Sequence, residues 1–87
     1  MMIEVERSYR GISARAAIGY LENVGGTQVD DGEVAGSDWC ASISEETVTI
    51  GQTLQLTEVT VVFEGDSEDR LDSVIDEFSQ KAIRAGG

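Results

Sequence analysis

FEGDSEDRLDSVIDEFSQKAIRAGG, residues 63–87, holds a strand end, a turn, an amphipathic helix and a terminal Gly-Gly. Gly65-Asp66 closes the strand, and Asp66 or Ser67 offers a helix cap. Glu68, Asp69 and Asp72 suit the positive end of a helix dipole, while Lys81 and Arg84 suit the negative end. Leu71, Val74, Ile75, Phe78 and Ala82 recur at helical spacing and form one apolar stripe. Gly86 falls where a C′ residue belongs. Such a helix needs an apolar surface to lie on, so the chain before it must supply a sheet.

Working backwards, residues 53–64 are rich in Thr and Val. Leu54 and Leu56 share one parity, and Val59, Val61 and Phe63 share the other. One straight strand cannot turn both sets to the same face, so a β-bulge near Thr57-Glu58 is expected. Val48 and Ile50 carry a β pattern up to Gly51. Glu45-Glu46 reads as a turn. Before it, Trp39, Ala41 and Ile43 alternate with Cys40, Ser42 and Ser44. Gly36-Ser37-Asp38 reads as a bulge or a second turn. Asp31-Gly32, between Val29 and Val34, marks a hairpin over residues 27–34.

The first third reads as strand then helix. Ile3, Val5 and Tyr9 share a side of the strand 2–10, opposite Glu4 and Glu6. Arg7 falls on the apolar side, so the strand is expected to leave the core or twist there. Ser13 is an N-cap candidate. Ala14, Ala17, Ile18, Leu21 and Val24 form the stripe of a helix that Gly25-Gly26 stops. The order is β-α-β-β-β-β-α in a single domain, residues 1–87. The predicted class is α+β: an antiparallel sheet of four to five strands with both helices on one face.

Composition narrows the setting. A chain of 87 residues buries roughly 60–65% of its unfolded surface, enough for one modest core. There are 17 acidic residues against 6 basic, a net charge of −11, and Lys81 is the sole lysine. An acidic, lysine-poor surface over a full apolar pattern is the balance expected in a salt-loving organism, where salt screens the self-repulsion. The same charge argues against nucleic-acid backbones and anionic membranes as partners. No run approaches the roughly 20 apolar residues of a membrane span. MMIEVERSYR, residues 1–10, lacks a signal-peptide pattern, so the cytoplasm is the expected compartment. One cysteine, Cys40, allows no internal disulfide. The lack of histidine removes Cys-His and Ser-His pairings, so no enzyme and no cofactor is expected.

Several constellations carry chemistry beside a plainer reading. Gly86-Gly87 fits a ubiquitin-like tail, whose thin carboxylate end enters an activating enzyme. Against it, those tails follow a strand, and the chain stops its first helix with the same dipeptide in mid-chain. Arg10, Ser13 and Arg15 flank the start of the first helix and would suit a phosphate or carboxylate; the plainer reading pairs the arginines with nearby acids. Cys40 adjoins no base and reads as a small packed residue rather than a reactive thiol. Trp39 reads as core or as the lip of a groove. Asp30-Asp31, Glu45-Glu46 and Glu68-Asp69 read as solvated surface, since none has a calcium-loop spacing and no metal site is expected.

Tyr9-Arg10-Gly11, Ala16-Ala17, Tyr20-Leu21-Glu22, Gly25-Gly26, Trp39, Leu54-Gln55-Leu56-Thr57, Phe63-Glu64-Gly65 and residues 81–87 together resemble a known family. It is the small C-terminal domain of proteins related to the molybdopterin-synthase small subunit, here standing alone. With the charge balance, the resemblance points to a halophilic archaeon as source. It implies a TATA-binding-protein-like architecture, β-α-β4-α, and an accessory role beside a β-grasp sulfur carrier or a pterin-cofactor enzyme. DNA binding is not implied, because fold alone does not carry function and the charge opposes it.

Three functions follow as expectations. The first is a non-enzymatic interaction domain in molybdopterin-type cofactor biosynthesis or sulfur-carrier metabolism. The second is a modifier or sulfur carrier acting through Gly87. The third is a small-ligand domain using the Arg10/Arg15 end and a sheet face around Trp39. A sheet with helices on one face leaves its other face for solvent, a partner or a homodimer.

Overall fold

The computed structural model describes residues 2–86. The elements are β1 (Ile3–Arg10), α1 (Ala14–Asn23), β2 (Thr27–Asp30), β3 (Glu33–Ala35), β4 (Trp39–Ile50), β5 (Leu54–Gly65) and α2 (Glu68–Gly86). The five strands form one antiparallel sheet in the order β1-β5-β4-β3-β2. Both helices pack on one face, α1 over β2, β3 and β4, and α2 over β1 and β5. This is the α+β architecture that the residue pattern predicts.

Local chemistry sets the helix ends. Ser13 caps α1 by accepting from the Ala16 N–H at 3.1 Å. Its C-terminus is a Schellman motif: the Gly26 N–H donates to the Leu21 carbonyl and the Gly25 N–H to that of Glu22. Gly25 has φ 103°, which a residue with a Cβ enters only at a cost. Ser67 caps α2 by accepting from the Arg70 N–H.

The core lies between sheet and helices. Val59, Val61, Phe63, Ala41, Val34 and Trp39 from the sheet meet Ile12, Ala17 and Leu21 at α1, and Leu71, Val74, Ile75, Phe78 and Ala82 of α2. Phe78 is its hub, with Tyr9, Tyr20 and Phe63 packed edge-on at 5.0, 6.2 and 5.8 Å. Tyr9 also shares a 2.7 Å hydrogen bond with Ser79.

Three sequence expectations need correction. The register of β4 with β5 runs unbroken from Trp39↔Gly65 to Ile50↔Leu54. There is therefore no bulge at Thr57-Glu58, and Glu45-Glu46 is strand rather than turn. The reason is tertiary. Helices cover the half of the hairpin near Trp39 and Gly65, while the distal half stands free of them. Val59, Val61 and Phe63 face the helices, so Leu54 and Leu56, of opposite parity, face the other way. Nor does β1 leave the core at Arg7: it pairs with β5 through Arg10, and Arg7 is tolerated because β1 is an edge strand. Twelve-residue strands at about 3.3 Å rise reach about 40 Å, which accounts for the 44 Å long axis of the molecule.

Candidate functional site

Arg10, Ser13 and Arg15 are not brought together around one anion. Gly11, at φ 87°, turns the chain from sheet to helix between them. Arg10 points to the helix-free face, where its Nε lies 3.1 Å from Glu58 Oε2. Arg15 lines a cleft of ≈ 710 Å³ between α1 and the β2–β3 turn, with Glu22, Gln28 and Asp31. The N-terminus of α1 already holds a carboxylate: the Ala14 N–H donates to Glu45 Oε2 at 2.6 Å. The first turn of α1 has no acid of its own, so β4 supplies the negative charge that the dipole favours. Glu45 is 31 residues away, beyond what local sequence reading connects.

Trp39 is a core residue, 5% exposed. It belongs to the covered face, in the row Trp39–Gly65–Ile3, not to an open face. Its indole lies on Gly26 and Gly36, so tightly that a Cβ built on Gly36 would meet Trp39 Nε1. Cys40 is half-buried on the opposite, helix-free face. Burial pushes its thiol pKa up, and the charges of Glu64 and Glu33 push the same way, so it stays a protonated thiol at neutral pH. Gly86 is the last residue of α2, and Gly87, the other half of the tail reading, lies outside the described residues.

The helix-free face reads row by row from the register. Ala35, Cys40, Glu64 and Glu4 form one row; Glu33, Ser42, Val62 and Glu6 the next; then Ser44, Thr60 and Ser8; then Glu46, Glu58 and Arg10. Past Arg10 only β4 and β5 continue, with Val48 opposite Leu56 and Ile50 opposite Leu54. Ile50 is 38% and Leu54 53% exposed. The reverse side of this ribbon carries Thr47, Thr49, Gln55 and Thr57. Polarity therefore inverts along the hairpin: apolar side chains face the helices in one half and solvent in the other. An acidic field adjoins the apolar tip, and among the described residues Arg10–Glu58 is the one ion pair on it. Among the described residues no three His, Cys, Asp or Glu side chains stand close enough to share a metal ion.

A known family covers nearly all of this architecture: the model for archaeal MoaD-like protein matches residues 5–87. The chain belongs to that family. No curated protein matches it. In this MoaD-like chain the matched span takes in the sheet from Val5 onward and both helices, with the apolar tip. Among the described residues no helix is long and apolar enough to cross a membrane.

The chemistry this face offers is apolar area beside negative charge. Val48, Ile50, Leu54 and Leu56 present four adjoining apolar side chains on a two-stranded ribbon, and the Glu-rich rows beside them select against anionic surfaces.

Proposed function

We propose that this chain is a non-catalytic interaction domain serving molybdopterin-type cofactor biosynthesis or sulfur-carrier metabolism. Its partner would be a β-grasp sulfur carrier or a pterin-cofactor enzyme, docked on the helix-free face with the hairpin tip as its apolar anchor. Membership of the MoaD-like family supports the setting. The observation that carries the docking is the polarity inversion: the sequence places Val48, Ile50, Leu54 and Leu56 together where no helix covers them. Burying apolar area at about 25 cal/mol per Å² would repay a partner for covering them. A protonated Cys40 and the self-paired N-terminus of α1 support binding rather than catalysis. The test is co-purification from the native cell at high salt, with the recovered protein identified by mass. A β-grasp carrier or pterin-cofactor enzyme in stoichiometric amount is the expected result. Recovery of neither removes the proposal's support.

A further inference from the structure

The sheet has two free edges, and they are unlike. β2 is four residues long, exposed throughout, and slips register between Gln28 and Asp30. Short, irregular edges resist further pairing. β1 is eight residues long and keeps unbroken register with β5. Its outer side opens into a groove of ≈ 480 Å³ against α2, lined by Arg7, Ser8, Tyr9, Arg10, Ala82 and Ile83 with Ser79.

The backbone of that edge can be assigned. The Gly11 N–H donates to the Thr57 carbonyl at 3.0 Å, which continues the β1–β5 register by one residue. In an antiparallel ladder the bonded pairs alternate. Ile3, Val5, Arg7 and Tyr9 therefore bond to β5, and Glu4, Glu6, Ser8 and Arg10 turn their N–H and C=O outward. A second contact agrees: the Arg7 guanidinium donates to the Glu6 carbonyl at 3.0 Å, so that carbonyl does face out. Beyond it, the outward groups of Ser8 and Arg10 open into the groove.

The groove is also cationic on an anionic molecule. Arg7 and Arg10 are two of the 6 basic residues in a chain of net charge −11. Arg10 meets Glu58 through Nε, which leaves its terminal nitrogens for another carboxylate. Ile83, 68% exposed on α2, gives the groove an apolar wall. The Tyr9–Ser79 hydrogen bond ties β1 to α2 across its floor.

We propose that the β1 edge accepts an extended segment of a partner protein as a sixth strand. An acidic side chain of that segment on the helix-free side meets Arg10, the Arg7 guanidinium at the strand edge adds positive charge beside it, and an apolar side chain on the helix side packs on Ile83. Backbone bonds to Ser8 and Arg10 supply affinity, and the two arginines select for negative charge. The site is separate from the hairpin tip and stands whether or not the tip docks a partner.

The probe is a blocked peptide of about seven residues alternating valine with aspartate, titrated into the full chain at the lowest salt in which it stays folded. Saturable binding is expected, with the Ser8 and Arg10 amide protons gaining exchange protection. Ser8→Pro removes an outward N–H and leaves the ladder to β5 whole, as edge positions allow. It should weaken the peptide about tenfold or more with the melting temperature kept. Arg7→Glu should weaken it similarly, and a valine–lysine peptide should not bind. A peptide N-methylated at alternate amides tests the same backbone bonds without altering the protein, and should fail. No binding at about 1 mM, equal binding of the lysine or N-methylated peptide, or unchanged binding to Ser8→Pro would each overturn the proposal and leave β1 a charge-guarded edge.

Discussion

The two faces of one hairpin make the instructive contrast. On the helix side, Trp39, Ala41, Val59, Val61 and Phe63 are buried under α1 and α2. On the other side, the same strands carry Cys40, Ser42, Val62, Glu64, Glu46 and Glu58 with no layer above them. Further along, past Glu58, the apolar residues change sides. The covered half follows the demand of a core. The distal half carries apolar side chains that no core uses, and their energy is available only to something that binds there. With the docking proposed above, stability and recognition occupy opposite sides and opposite ends of the same pair of strands.

The largest expected effects lie on the covered face. Phe78→Ala removes the ring against which Tyr9, Tyr20 and Phe63 pack, and should cost about 3–5 kcal/mol. That is a large share of the roughly 5–15 kcal/mol of a small domain, read by urea unfolding. Adjacent residues give a closer comparison. Val61→Ala, on the covered face, should cost about 2–3 kcal/mol, and Val62→Ala, on the open face, below about 1 kcal/mol. Equal costs would break the assignment of faces.

Next in size is Gly36→Ala. The added methyl has no room beside the buried Trp39 indole, so the loop or the ring must move, at about 1–3 kcal/mol. Trp39 fluorescence should shift to the red together with the loss of stability.

How far the sequence reached can be judged from the same residues. Helix stripes, caps and the Asp31-Gly32 hairpin were legible because they are local: a period, an N-cap hydroxyl, a glycine. The straight run of β5 was not. Leu54 and Leu56 looked misplaced only on the assumption that one face is buried along the whole strand, and the extent of helix cover is a tertiary fact. The candidate anion residues failed in a similar way. Arg10 and Arg15 are close in sequence, but Gly11 sends their elements in different directions, while the acid that fills the N-terminus of α1 comes from β4. The β1–α2 groove joins residues 7–10 with residues 79–83, and no local motif announces it.

Smaller effects come from charge. Burial raises the pKa of Tyr9 from its usual 10.0, and that of Cys40 rises from 9.0. The unfolded chain then loses these protons at lower pH than the folded one. The stabilisation is complete below about pH 9 and is lost as pH climbs through the folded values. Melting temperature should fall on alkaline titration, less steeply in Tyr9→Phe and Cys40→Ser. Salt acts in the opposite sense. Glu4 and Glu64 face each other across β1 and β5, and like charges so placed cost about 0.2–1 kcal/mol. Raising salt to about 1 M shortens the screening length to about 3 Å and should raise the melting temperature. Glu64→Gln should reduce that gain.

The most direct measurement is the double variant Ile50→Asp/Leu54→Asp, examined for melting and for co-purification at high salt. If the two faces divide the work, melting changes by no more than surface substitutions do, about 0.5 kcal/mol each, and the partner recovered with the unaltered chain is lost. A melting temperature that collapses, or a partner that stays bound, would contradict the account.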